Sequence, residues 1–99
     1  MKFIYPAVFE QTEDKKYKGY FPDLEACYAS GDSMMDAIDD AREAAANWIG
    51  IELEDPEAIL PMPTEAKDII LKENQAISNI VVHVNVVGGW REYQPVRPV

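Results

Sequence analysis

The first ten residues, MKFIYPAVFE, alternate in character. Phe3, Tyr5, Ala7 and Phe9 fall on one side, and Ile4, Pro6, Val8 and Glu10 on the other. Period two with aromatic and β-branched content predicts a strand. Pro6 has no N–H for a ladder, so a neighbouring strand must tolerate a gap there, as at a bulge. The polar run QTEDKK reads as a turn, and YKGYFPD as a second strand with Tyr17, Gly19 and Phe21 on one side. The two strands are close enough to form a hairpin. PDLEA turns the chain again, and CYASG makes a short third strand ending at Gly31.

The period then changes. Met34, Ile38, Ala41, Ala45, Trp48 and Ile49 recur at helical spacing, with Ala37 and Ala44 beside them. Ser33 is the expected N-cap, and Asp36 completes a shortened capping box. Asp32 and Asp36 complement the positive end of the helix. The alanines let the helix axis approach a sheet closely. Asp36, Asp39, Asp40, Glu43 and Asn47 fall mainly on the opposite side. Gly50 either stops the helix or costs about 1 kcal/mol inside it.

Pro56, Pro61 and Pro63 break up the next stretch, so an irregular connection is expected over 54–76. Ile80, Val82, Val84 and Val86 then form one apolar face of a last strand, with Asn79, Val81, His83 and Asn85 on the other. This alternation suits a sheet covered by the helix on one side. Gly88 and Gly89 end the strand, and Pro95 and Pro98 favour an extended arm over 88–99.

The order is strand, strand, strand, helix, strand, an α+β (βββαβ) arrangement. A right-handed crossover through the helix would return the last strand parallel to the first, with strand order 3-2-1-4. One face holds the helix. The other has no second layer, so Ile4, Val8 and Val81 need a partner or stay exposed.

Ninety-nine residues make one small domain. The net charge of −9 repels phosphate backbones, so nucleic-acid binding by residues 1–87 is disfavoured and a basic partner is favoured. Cys27 is the only cysteine, which excludes an intrachain disulfide and suits a small buried hydrophobe. No apolar run is long enough to span a membrane and no signal-peptide pattern opens the chain, so a cytoplasmic protein is expected.

The acids of the helix pose the chemical question. A two-metal nuclease needs carboxylates from different elements to converge on cations about 3.5–4 Å apart. Asp36, Asp40 and Glu43 share a helix face that spreads them along its axis, while the strands offer only Glu10 and, in a turn, Asp23. The solvated-face reading therefore leads, with no metal or cofactor expected. His83, alone between valines, reads as a half-buried strand or interface residue. Trp90 and Tyr93 are large aromatics in a proline-bearing arm, suited to folding back on the sheet or docking on another protomer.

Four segments together carry a family resemblance: YPAVFE, GYFPDLEAC, GDSMMDAIDDAREAAANWI, and the late valine strand before a Trp-Arg-x-Tyr-x-Pro segment. In these the chain resembles the HicB family of antitoxins, over roughly residues 1–93. The resemblance implies a degraded ribonuclease-H-like sheet that has lost its catalytic acids. It implies a partner, the small basic HicA toxin, an mRNA-cleaving protein with a double-stranded-RNA-binding-domain-like fold and a catalytic histidine. Inhibition by masking follows, with no enzymatic activity in the antitoxin. Many members continue into an operator-binding segment, so DNA binding and autoregulation are expected only where such a segment exists.

The organisation expected is thus a HicB-like domain over 1–87 and an arm over 88–99. A homo-oligomer is expected. Candidate partner or oligomer contacts are Ile4, Val8, Glu10, Asp36, Asp40, Glu43, Val81, His83, Trp90 and Tyr93. The competing readings are a metal-dependent ribonuclease-H-like nuclease and a module that only self-associates through its open sheet face.

Overall fold

The computed structural model describes residues 1–84. Strands β1 (Lys2–Gln11), β2 (Tyr17–Tyr20) and β3 (Tyr28–Gly31) precede helix α1 (Met34–Glu52), and β4 (Gln75–His83) follows it. They form one four-stranded sheet in the order β3-β2-β1-β4. The expected strand order and single covering helix are both present.

β1 and β2 form a hairpin whose turn places Lys15 at φ 64°. The N–H of Thr12 donates to the Lys16 carbonyl at 2.7 Å and closes it. The second turn runs over residues 22–26. There the N–H of Phe21 donates to the Cys27 carbonyl and the N–H of Cys27 to the Leu24 carbonyl. Leu24 points back into the core and is wholly buried.

The helix starts where the pattern placed it. Ser33 caps it, its Oγ accepting from the N–H of Asp36 at 3.1 Å. It runs through Gly50 to Glu52, so the glycine lies inside rather than at the end. Ala37, Ala41, Ala45 and Ile49 are spaced by four and wholly buried. Their small size lets α1 lie directly on the sheet, with Met34, Ile38, Ala44 and Trp48 packed on either side. At Gly31 the backbone comes so near the start of α1 that an added Cβ would sit 2.4 Å from the Ala37 nitrogen. Against this row pack Tyr5, Ala7, Phe9, Ile80, Val82 and Val84. Burying an Ile, Val or Phe side chain contributes about 1.5–3 kcal/mol each, so this one layer is the main source of stability.

The direction of β4 corrects the expected topology. β4 runs antiparallel to β1, from Lys2 opposite His83 to Glu10 opposite Gln75. A helix alone would have returned the chain parallel to β1. The connection after α1 instead carries the chain along the sheet once more before β4 begins, and so reverses its direction. It is irregular apart from one short turn of 3₁₀ helix, Ala66–Asp68.

The pairing also explains Pro6. Met1 and Val84 exchange both backbone bonds, at 2.8 and 2.9 Å. Alternation along an antiparallel ladder then aims the N–H of Phe3, Tyr5, Ala7 and Phe9 at β4 and leaves Pro6 in a non-bonded pair with Asn79. On its other side, β2 pairs with β1 only from Val8 onward. No ladder donor is needed at Pro6, and the strand passes it without a bulge.

Candidate functional site

The sheet face away from α1 carries Lys2, Ile4, Pro6, Val8 and Glu10 of β1, with Val81, Asn79, Ile77 and Gln75 beside them. Lys18, Tyr20, Tyr28 and Ser30 extend it across β2 and β3. This face is not bare, which corrects the expectation for Val8: it is 1% exposed. Its cross-strand neighbours Tyr20 and Ile77 flank it on either side, and part of the connection after α1 also reaches this face. The first part of that connection packs on the helix side, where Leu60 joins the core and the Pro61 carbonyl accepts from the Tyr5 hydroxyl at 2.6 Å. Asp23 then holds Thr64 through both the N–H and the hydroxyl. Beyond that clamp, Ile70 and Lys72 lie on the open face.

There they border a groove of about 460 Å³ with Val8 and Gly19 at its base and Tyr20 and Tyr28 along it. Tyr28 is 71% exposed and Ile70 95% exposed. One end of the groove is charged. Glu10 accepts from the Gln75 amide at 3.0 Å and pairs with Lys18 at 3.5 Å. The Gln75 bond, with help from Lys18 and Lys72, holds the Glu10 carboxyl below its usual range against an opposing desolvation.

The expected contact residues therefore divide into separate regions. Ile4 and Val81 are cross-strand neighbours, and His83 stands opposite Lys2, so these form one patch at the start of β1. Ile4 is 45% exposed, Val81 is half-buried and His83 is exposed. Glu10 sits at the far end of the same strand. Asp36 and Glu43 are exposed on the outer side of α1. Asp40 ties the helix to the sheet edge, its carboxylate accepting from the N–H of Ser30 at 2.9 Å. Asp39 pairs with Arg42 at 3.0 Å. Trp90 and Tyr93 lie outside the described residues.

The acids do not form a cation cradle. Among the described residues, no three of the His, Cys, Asp and Glu side chains group closely enough to hold a metal ion. What they form is an acidic flank: from Asp32 to Glu57 the only basic residue is Arg42. Cys27 is buried, and burial pushes its thiol pKa up, the opposite of what a nucleophile needs. No helix among the described residues is long and apolar enough to cross a membrane.

The Asp23–Thr64 clamp, the Tyr5–Pro61 bond and the tyrosine groove were not singled out by the sequence pattern. The only local signal for the first was an Asp in the tight Phe-Pro-Asp-Leu turn. All three depend on where the irregular connection runs, and periodicity is silent there.

The same fold occurs in solved structures. A chain of a toxin–antitoxin complex from Streptococcus pneumoniae superposes with a TM-score of 0.75 at 19% identity, over 98% of this chain and 82% of that one. The N-terminal domain of Burkholderia pseudomallei antitoxin HicB gives 0.70 at 18% identity, over 85% of this chain and all of that one. A chain of the HicA3 and HicB3 toxin–antitoxin complex gives 0.61 at 28% identity, over 85% of this chain and all of that one. No curated protein matches the sequence. A family model for the HicB-like antitoxin of bacterial toxin–antitoxin systems matches residues 5–89. By that match, which spans nearly the whole chain, this protein belongs to the HicB-like antitoxin family.

Proposed function

We propose that this chain neutralises a small basic toxin of the HicA type by docking on it and masking its RNA-binding surface, without chemistry of its own. The observation that carries the proposal is the family match over residues 5–89. The likeness to a chain of the HicA3 and HicB3 complex supports the choice of partner. Charge supports the mode of action. A basic RNA-binding surface meets an acidic flank on α1 and the segment after it, and opposite fields of this kind steer encounter and fix orientation. Masking asks nothing of the acids beyond their charge, so they need not converge. A metal-dependent nuclease would need them to.

Co-expression tests the proposal in cells. Inducing the small basic protein encoded beside this chain should arrest growth, and inducing both should restore it. If the neighbour is harmless, or remains toxic alongside a soluble excess of this chain, the proposal fails.

A further inference from the structure

The two edges of the sheet are built differently. β3 is four residues long, and its outward N–H at Ser30 is taken by the Asp40 carboxylate. Short length and a covering side chain are ordinary ways to blunt an edge. β4, at the other edge, is nine residues long and has no proline, lysine, arginine or carboxylate. That is the composition of an interior strand. Residues 85–99 continue from its end.

The ladder fixes which groups of β4 face outward. Because Met1 and Val84 form a bonded pair, Val82, Ile80, Ser78 and Ala76 turn their N–H and carbonyl groups toward β1. Ile77, Asn79, Val81 and His83 turn theirs away, and those groups have no partner among the described residues.

We infer that residues 90–96 of the same chain supply the missing neighbour, folded back on β4 as a fifth strand through a two-residue turn at Gly88 and Gly89. Gly-Gly between two runs of strand character is a hairpin signal, because the turns that match strand twist need a positive φ at their central residues. Such a turn makes its flanking residues, Val87 and Trp90, a bonded pair. Alternation then makes bonded pairs of Asn85 with Glu92, His83 with Gln94, and Val81 with Val96. These are odd positions of β4, the same set that pairing with β1 leaves outward. Turn length and the β1 ladder are independent of each other, and they agree.

The prolines fit the same register. Pro95 falls opposite Val82 in a non-bonded pair, with its nitrogen directed away from β4, where edge strands tolerate proline. Pro98 falls opposite Asn79 in a bonded pair and has no N–H to give, so pairing stops at Val96. Val96 stands beside Val81, whose other neighbour is Ile4, and completes an apolar row on the open face. Tyr93 stands beside the buried Val84 on the helix side. Arg91, Glu92, Arg97 and both prolines then occupy the outermost strand, where charge and proline blunt an edge. Tethering selects this occupant. A two-residue link holds the arm beside β4 at an effective concentration of about millimolar or more. A second copy would have to bring one net charge of −9 against another.

Amide exchange on this chain, without toxin, tests the inference. The Val81 and His83 amides should be protected, and equally so at low and high protein concentration. A nuclear Overhauser contact should join the α-protons of Val84 and Tyr93. It should persist when labelled chain is diluted into unlabelled chain, as a contact within one molecule does. Gln94→Pro removes the donor aimed at the His83 carbonyl and should expose the Val81 and His83 amides. Those of Ile80 and Val82, bonded to β1, should stay protected and show that the sheet is intact. Pro95→Ala, at a position that gives no ladder bond, should leave all four protected. Fast exchange at Val81 and His83 in the native chain overturns the inference, and so does protection that survives in folded Gln94→Pro. Protection that rises with protein concentration would assign the edge to a second copy, and protection that appears only with toxin would assign it to the toxin; either also overturns it.

Discussion

The carboxylate of Asp23 accepts from both the N–H and the hydroxyl of Thr64, at 2.8 and 2.6 Å. This pair joins the turn between β2 and β3 to the connection that leads from α1 to β4. It fixes where the chain leaves the helix side of the sheet, and so determines that the later part of the connection lies on the open face. Bonds to a charged acceptor contribute about 1.5–3 kcal/mol each, and partial exposure here puts the pair toward the low end. Asp23→Ala should cost about 1–3 kcal/mol in urea unfolding, and Thr64→Ala somewhat less. Because the two residues act together, the double variant should cost clearly less than the sum. Additive losses would contradict the clamp.

Alkaline pH should weaken the fold through two groups. Burial, with a smaller contribution from the Asp23 charge, raises the Tyr5 phenol pKa, and burial raises the Cys27 thiol. Each folded-state pKa lies above its unfolded value, so the unfolded chain loses its proton first. The stabilisation is full below the ordinary values, about 8.5 for a thiol and 10 for a phenol. It is lost as pH climbs through the raised folded values. The urea midpoint should fall from about pH 8.5 upward. Tyr5→Phe should flatten the upper part of that fall while costing about 0.5–1.5 kcal/mol at neutral pH, from the lost bond to Pro61.

Two glycines should respond in opposite directions to alanine. Gly50 lies inside α1 with no heavy atom within 4 Å of an added Cβ. Gly50→Ala should therefore stabilise the protein by about 0.5–1 kcal/mol. Gly31→Ala would push a methyl into the backbone at Ala37 and force α1 away from the sheet. A loss of about 1–3 kcal/mol or more is expected, read as a lower thermal midpoint.

How much of this was legible in the sequence follows from where regular period exists. Tyr5, Ala7 and Phe9, with the half-buried Phe3 in line, announced one buried face of β1, and Ile80, Val82 and Val84 one face of β4, because side chains in a strand alternate strictly. Ser33 announced the start of α1 through its capping chemistry. The direction of β4 was not legible. It depends on whether the connection returns along the sheet, and Pro56, Pro61 and Pro63 erase any period there. The groove beside Val8 was hidden for the same reason: nothing local reveals that Ile70 and Lys72 come to line it. The dispersal of Asp36, Asp40 and Glu43 along one helix was legible, since helix geometry sets it. The bond from Ser30 to Asp40 was not, because it spans two elements.

The acidic flank should govern the rate of toxin association more than its final strength. Reversing Asp36 and Glu43 to lysine, both exposed on α1, should slow association about tenfold or more at low salt. The difference should shrink near physiological salt, where screening acts over about 8 Å. Stability should change by less than about 0.5 kcal/mol, since neither side chain is buried. Stopped-flow mixing at two ionic strengths reads both effects, and an unchanged rate would mean that another surface meets the toxin.

The most direct measurement of the proposed masking is a titration of a HicA-type toxin's RNA cleavage with this purified chain. Cleavage should fall in proportion to added protein and stop at a fixed stoichiometric ratio, with a stable complex forming over the same range. The chain alone should leave the RNA intact in magnesium and in manganese. Toxin activity that persists past stoichiometric excess, or metal-dependent cleavage by this chain that disappears in Asp36→Ala, would contradict the account.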